Sequence, residues 1–315
     1  MQTILGANGI IATELAKELY RNFTKDIRLV SRSPKKVNET DELLSADLLD
    51  AYQTEKAVEG SEIVYLTAGL PNNWKIAKVQ WPVIMQNVMA ACQKHNAKLV
   101  FFDNTYMYGK SDGIITESAP FLSKGKKGKI RGEVTTMLLN AIQQKDITAM
   151  ICRAPEFYGP RKTKSYTNSL IFGNIKRSTM IKVFLTDNTL RTLIYTPDAA
   201  KAMALLGNTP DAYQQTWHLP CDTNRLTVKE FIQLTSEIYG EKLEYIILKY
   251  WKIRLKSLFN PNLKETVELL HRYKTDNIFD ATKFQKRFPD FKITTYREGI
   301  SEIINEIKQS KNQTR

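Results

Sequence analysis

Near the start of the chain, Leu5-Gly6-Ala7-Asn8-Gly9-Ile10-Ile11-Ala12 joins an apolar segment to an amphipathic one that continues through Leu15, Leu19 and Phe23. The pattern predicts the end of a strand, a tight glycine turn and the opening of a helix. Such a turn aims unpaired backbone N–H groups and the positive helix end at one point, which suits a pyrophosphate. Gly6 permits the turn. Gly9 lets the backbone approach a phosphate with no Cβ in the way, and Ala12 stands where a third glycine often packs helix on strand, a place that tolerates a methyl group. Gly6, Asn8, Gly9, Ile10 and Ile11 are therefore the first candidate cofactor-binding residues. An ordinary glycine-rich turn between strand and helix has the same spacing, so the weight rests on context: strand before, helix after.

With 315 residues the chain can bury a sizeable core, and two lobes suit that length better than one. The 42% hydrophobic and 25% charged fractions are those of a folded globular protein. Cys92, Cys152 and Cys221 are scattered in or near apolar runs without paired or metal-like spacing, and His95, His218 and His271 share no spacing with them or one another, so no metal site is expected. Buried free thiols fit a reducing compartment. No basic leader precedes the first strand and no apolar run reaches the roughly 18 residues of a membrane span, so a soluble cytoplasmic protein is expected, without a membrane. Lys and Arg number 46 against 33 Asp and Glu, a formal charge of +13, which favours an anionic partner such as a phosphorylated cofactor or an acidic substrate. The two basic runs, Lys124 to Arg131 and Arg161 to Lys164, lack interleaved aromatics. They read as solvated loops rather than a nucleic-acid surface.

Asp26 to Val30 reads as the second strand, followed by Ser31-Arg32-Ser33-Pro34-Lys35-Lys36. About 20 residues past the glycine turn, an acid would serve a free ribose 2′-hydroxyl. Ser31 and Arg32 instead suit a 2′-phosphate, which favours NADP over NAD; a solvated basic turn is the alternative. Glu62 to Gly69 reads as a buried strand whose carboxyl end places Thr67, Ala68 and Gly69 along a ligand groove. Trp74 to His95 reads as helix, with Pro82 marking a kink or a start. Lys98 to Phe102 is a continuous apolar strand, as expected of one covered on both faces.

With Phe102-Asp103-Asn104-Thr105-Tyr106-Met107-Tyr108-Gly109 the chain resembles the extended short-chain dehydrogenase/reductase superfamily, and within it the NAD(P)-dependent epimerase/dehydratase family. Ala46-Asp47-Leu48 is similar to the segment that meets the adenine ring. Arg153-Ala154-Pro155-Glu156-Phe157-Tyr158-Gly159-Pro160 is similar to the turn near the nicotinamide, where Pro155 falls. Arg191 to Ala200 is similar to the segment whose arginine grips a sugar-nucleotide phosphate, which makes Arg191 an anion-binding candidate. Phe279 to Lys283 and Tyr296 to Ile300 are similar to the usual ending. The resemblance implies an α/β fold: a Rossmann-like doubly wound parallel sheet over residues 1–160, with a return at about 186–207, and a smaller α/β substrate lobe over 161–315. It also implies a small-molecule substrate and, from helices near 83–95 and 129–144, a homodimer.

One departure from the family bears on chemistry. The superfamily pairs a serine or threonine with Tyr-x-x-x-Lys, in which lysine and ribose lower the tyrosine pKa for proton transfer. Here Asn104 holds the serine position. Lys129 holds the lysine position and Gly125 the tyrosine position, and no tyrosine occurs between Gly109 and Met150. Two readings follow. Either chemistry persists, with Asn104 donating to a substrate carbonyl and Thr105 or Tyr106 supplying the proton, or the protein binds dinucleotide without turnover, as a sensor or scaffold. Tyr108 reads as packing beneath the loop. Lys129 reads as a ribose contact or one more solvated lysine. Glu156 either acts as a base or substrate-hydroxyl ligand, or pairs with Arg153 or Arg161.

Further along, Asp198 reads as a cap for the helix after Pro197, and Thr227-Val228-Lys229-Glu230 as a capping box opening another. The basic, aromatic stretch Trp251 to Phe259 is expected to pack within the smaller lobe rather than on a membrane. The polar tail Lys308 to Arg315 is expected to fray.

Overall fold

Four-residue runs with no exposed side chain, Gln2–Leu5 and Ile63–Leu66, form two central strands of a parallel sheet, β1 and β4. Beside β1 lie β2 (Ile27–Ser31) and the edge strand β3 (Glu42–Ser45); beyond β4 lie β5 (Lys98–Asp103), β6 (Ala149–Arg153) and β7 (Thr216–His218). The spatial order is β7-β6-β5-β4-β1-β2-β3, and every pairing is parallel. This computed structural model describes residues 1–109, 113–161 and 163–312; Lys162 in the second basic run and residues 313–315 of the tail lie outside the described residues.

Both faces of the sheet are covered, because side chains alternate across a strand. Leu5, Val64, Leu66, Leu99, Phe101 and Ile151 belong to one apolar cluster with Trp81, Met85, Val88, Val134 and Leu138. Those partners come from α3 (Trp74–Lys94) and α4 (Lys126–Gln143), which follow α1 (Ile10–Asn22) and α2 (Ala51–Val58) in the chain. The intervening Ile4, Tyr65, Val100 and Met150 are equally buried on the opposite face. That face carries α5 (Thr196–Gly207), where the Tyr65 ring lies against Gly207. The fold is thus a doubly wound α/β sheet. Pro82 neither starts nor ends α3, which runs through it.

The chain forms two compact units. One comprises Met1–Tyr108, Phe121–Ala154 and Ala199–Leu219; the other comprises Gly109–Pro120, Pro155–Asp198 and Pro220–Arg315. The chain's return to the first unit therefore begins at Ala199. Residues 186–198 stay with the second, where Leu193–Tyr195 pairs in parallel with Glu156–Tyr158. This unit is built from small two-stranded pairings packed on α6 (Val228–Tyr239) and α7 (Tyr296–Asn312). Its core includes Tyr158, Phe172, Val183, Leu193, Phe231, Tyr296 and Ile304. Thr227 and Glu230 form the capping box read from sequence.

Three local expectations need correction. Asp198 does not cap a helix from outside it: α5 already begins at Thr196, and the Asp198 carboxylate accepts from Thr294 N at 2.6 Å and Thr294 Oγ1 at 2.9 Å. The run Lys124 to Arg131 is not a solvated loop, because α4 starts at Lys126 and buries Lys127 and Arg131. The stretch Trp251 to Phe259 does not pack inward as a whole. Ile253 and Ser257 are buried, but Trp251, Leu255, Leu258 and Phe259 are 60%, 54%, 72% and 87% exposed. Apolar residues there point both ways, so sequence alone gave no single face to bury.

Candidate active site

Gly6 makes the turn after β1 at φ +97°, where a side chain is strained. A Cβ there would also lie 2.5 Å from the backbone N and Cα of Ala68, so the turn and the end of β4 touch through glycine alone. Thr67, which donates from Oγ1 to the Leu5 carbonyl at 3.0 Å, completes this junction, and Gly69 follows in open space. Gly9 differs from Gly6. Its φ of −77° is ordinary, and a Cβ would meet nothing nearer than the Gly6 carbonyl oxygen at 3.5 Å. The protein itself does not require glycine at that position; a ligand lying on the turn would. Gly9 is also the N-cap of α1, with no side chain to cap it, so the first-turn N–H groups of Ile10 and Ile11 point out of the helix end. The Ile11 side chain is buried beneath them.

Asn8 ties this turn to the end of β2. Its Nδ2 donates to Ser31 Oγ at 3.2 Å and to the Ser33 carbonyl at 2.8 Å. Arg32 lies between those two anchors, exposed, and no acid occupies Ser31 to Ser33. Ala46 N donates to the Ser31 carbonyl at 3.1 Å, which sets Asp47 near the same strand end. Asp47 Oδ1 accepts from Leu49 N at 3.0 Å. Leu48 has its side chain in the core and its carbonyl bonded to Asn87 Nδ2 at 2.9 Å. Gly6, Asn8, Ser31, Arg32, Thr67 and Ala68 are therefore brought together around the turn that Gly9 closes, with the start of α1 opening on it.

At the end of β5, Asn104 accepts from Tyr106 N through Oδ1 at 2.9 Å. With Oδ1 so engaged, the half-buried Asn104 side chain keeps its amide nitrogen as a donor. Thr105 is buried and Tyr106 half-buried in a short helical turn, Tyr106–Tyr108. The opening of α4 lies directly on this turn: a Cβ on Gly128 would come 2.5 Å from the Tyr106 carbonyl oxygen. Lys129, one residue on, is exposed, while Gly125 is the N-cap of α4. Lys127 faces elsewhere and donates to Asn72 Oδ1 at 2.7 Å.

Beneath this loop lies a buried ionic network that sequence reasoning did not assemble. Asp103, 1% exposed, accepts from Arg131 Nε, from Arg153 Nε at 3.1 Å and from Thr135 Oγ1 at 3.1 Å. Arg153 Nη1 donates to the Tyr108 hydroxyl at 2.6 Å, and that hydroxyl shares a 2.8 Å hydrogen bond with His218 Nε2. Tyr108 and His218 are both buried, so neither is a surface residue.

In the second unit Pro155 is buried, and the next residue, Glu156, pairs with neither Arg153 nor Arg161. Its Oε2 accepts from Arg191 Nη2 and from the Tyr273 hydroxyl, both at 3.0 Å, and its Oε1 accepts from Thr167 Oγ1 at 2.8 Å. Arg153 is taken by Asp103, and Arg161 lies 3.7 Å from Glu302. Burial and the Glu156 carboxylate push the Tyr273 phenol well above its usual pKa, so it stays protonated and donates. Burial likewise raises the three free thiols, Cys92 to about 12. None of them is a reactive nucleophile.

Among the described residues, no group of His, Cys, Asp or Glu gathers to hold a metal ion, and no helix is long and apolar enough to cross a membrane. No curated protein matches the chain by sequence. Several solved structures are similar over almost their whole length. UDP-glucuronic acid 4-epimerase from Bacillus cereus in complex with NAD has a TM-score of 0.79 at 14% identity, with 98% of this chain and 99% of that chain covered. UDP-glucose 4-epimerase from Thermotoga maritima with UDP-glucose has 0.79 at 16%, with the same coverage. A dTDP-glucose 4,6-dehydratase from Streptomyces venezuelae with NAD bound has 0.77 at 12%, with 99% and 98% covered. At such identities the shared property is the fold. Residues 3–219 match the NAD dependent epimerase/dehydratase family, and this chain, more than half of it matched, belongs to that family.

Proposed function

We propose that this protein is an NADP(H)-dependent enzyme of its family that acts on a small hydroxyl or carbonyl substrate with a non-standard proton donor. The observation that supports the cofactor assignment is Asn8, which binds the glycine turn to Ser31 and Ser33 and so keeps exposed Arg32 beside the turn, where a ribose phosphate would lie. Arginine there offers a forked, permanent charge to a 2′-phosphate, and an acid that would prefer a free 2′-hydroxyl is missing. The first-turn N–H groups of Ile10 and Ile11 would hold the pyrophosphate, Asp47 and Leu48 would border the adenine, and Thr67 to Gly69 would line the rest. The bound nicotinamide supplies or accepts hydride. This chain's own residues then orient the substrate oxygen through the Asn104 amide and exchange its proton through Tyr106, with Lys129 reaching the ribose.

The relatives named above include proteins solved with NAD, so the cofactor preference is tested directly by fluorescence titration of NADPH and NADH. Tighter binding of NADPH is expected. Arg32→Ala should weaken NADPH by about ten- to a hundredfold, the loss of one charge-assisted contact, while leaving NADH within about threefold. Equal losses for both nucleotides would contradict the assignment.

A second reading, dinucleotide binding without turnover, is favoured by Gly125 at the N-cap of α4, where the family carries its phenol. The two readings separate on NADPH consumption across a panel of aldehydes and ketones. The enzyme reading expects turnover, lost by at least about a hundredfold in Tyr106→Phe, with cofactor affinity unchanged. Turnover that survives in Tyr106→Phe removes that residue from the chemistry, and its absence in the wild type for every carbonyl favours the sensor.

A further inference from the structure

We propose that the cleft of the second unit takes an uncharged, hydroxyl-bearing small molecule and excludes nucleoside diphosphates, because Glu156 already neutralises the buried guanidinium of Arg191. The inference rests on reading this unit as the substrate lobe of the proposed enzyme.

The cleft has a free interior of about 50 Å³, several times the ~10–15 Å³ that one water needs. Its walls are largely apolar, with Tyr166, Phe184, Leu193 and Phe231 among them, and its polar residues centre on Glu156, Arg191 and Tyr273. Arg191 is 6% exposed. One of its terminal nitrogens donates to the Arg272 carbonyl, the other to Glu156, and its guanidinium lies 4.4 Å from the centre of the Tyr273 ring. Glu156 in turn is filled by Thr167, Arg191 and Tyr273. The pair is neutral as a unit, and the protonated Tyr273 phenol adds no charge.

A phosphate brought to Arg191 would therefore meet the Glu156 carboxylate at close range in a poorly solvated place, where like charges repel strongly. Lys182, the other cation lining the cleft, is exposed, so its charge is solvated and screened. The contacts to the Arg272 carbonyl and Glu156 account for two of the five Arg191 N–H groups, and Nε is the one nitrogen of the guanidinium that is buried without a hydrogen-bond partner. Unmatched N–H groups on a neutralised cluster beside apolar rings suit a neutral oxygen, a hydroxyl or carbonyl, on a small organic skeleton.

The test uses the full chain loaded with NADPH, and NADPH binding is measured first in the same samples. Failure of the cofactor reading thus shows separately from failure of the cleft reading. Benzyl alcohol, benzoate and UDP serve as probes, followed through ring resonances of Phe184 and Phe231. In the wild type, benzyl alcohol should shift those resonances at millimolar concentration while benzoate and UDP do not. Glu156→Gln preserves shape and uncovers the Arg191 charge, so it should gain about tenfold or more in benzoate and UDP affinity. Arg191-dependent binding of UDP to the wild type, no response to benzyl alcohol, or no gain in Glu156→Gln would each overturn the proposal. If Glu156→Gln does not fold, the wild-type comparison of benzyl alcohol with UDP decides alone.

Discussion

Gly6→Ala is expected to lower NADPH affinity by at least about a hundredfold, roughly 2.7 kcal/mol, and to destabilise the protein by about 1–3 kcal/mol. Two independent causes act at one atom. The backbone at φ +97° resists any L side chain, and the added Cβ would stand 2.5 Å from backbone atoms of Ala68, which cannot swing aside as a flexible side chain would. Relief requires the turn and the end of β4 to part, and both line the cradle. Gly9→Ala provides the contrast. It meets no protein atom closer than 3.5 Å, so stability should stay within about 0.5 kcal/mol of wild type. Its affinity should still fall, because the methyl group would stand in the path proposed for the pyrophosphate. Thermal unfolding without nucleotide, set beside NADPH fluorescence titration, separates the two effects. A Gly9→Ala protein that binds NADPH like the wild type would remove the turn from the cofactor site.

Those two glycines also mark how far the sequence can be read. The central strands were legible because burial on both faces leaves uninterrupted apolar runs, as in Ile63–Leu66 and Lys98–Phe102. β3 was not: Glu42–Ser45 is an edge strand, largely exposed, and Glu-Leu-Leu-Ser carries neither alternation nor an apolar run. The glycine turn and the strand end beside it could be read because they are local and lie at a fixed separation. Charges that find their partners across the fold could not. Arg131 reads as the end of a lysine run, but in the structure it is buried against Asp103, with its guanidinium 4.6 Å from the centre of the Trp81 ring and 4.7 Å from that of Phe101. Glu156 lies three residues after Arg153 in sequence and pairs with Arg191, 35 positions on. Spacing gives no signal for either pairing, because each is set by which elements the fold brings side by side, a helix on a strand for Arg131 and Asp103.

Asp103→Asn is expected to be the most damaging single change in the first unit, costing about 3–5 kcal/mol, a large share of the roughly 5–15 kcal/mol that holds a domain folded. One carboxylate here answers two buried guanidiniums, Arg131 and Arg153, together with Thr135 Oγ1 and the Asn104 N–H. Asparagine keeps the shape, but it removes the only negative charge among those partners and turns an N–H₂ toward a donor. Two cations are then left in a place with almost no water. Arg131→Leu should cost less, because Asp103 keeps Arg153 and the leucine packs between Trp81 and Phe101, while Tyr108→Phe should cost about 1 kcal/mol, one buried hydrogen bond. The expected order, Asp103→Asn well above Arg131→Leu and Tyr108→Phe, is read from urea unfolding midpoints at constant m-value. A loss below about 1 kcal/mol for Asp103→Asn would contradict the role given to the network. The same contacts reach the proposed catalytic loop, since Asp103 accepts from Asn104 N at 2.9 Å and so fixes the start of the segment that carries Asn104 and Tyr106. Turnover in Asp103→Asn should therefore fall even at temperatures where the variant is still folded, and NADPH binding at the glycine turn, held by other strands, should persist there.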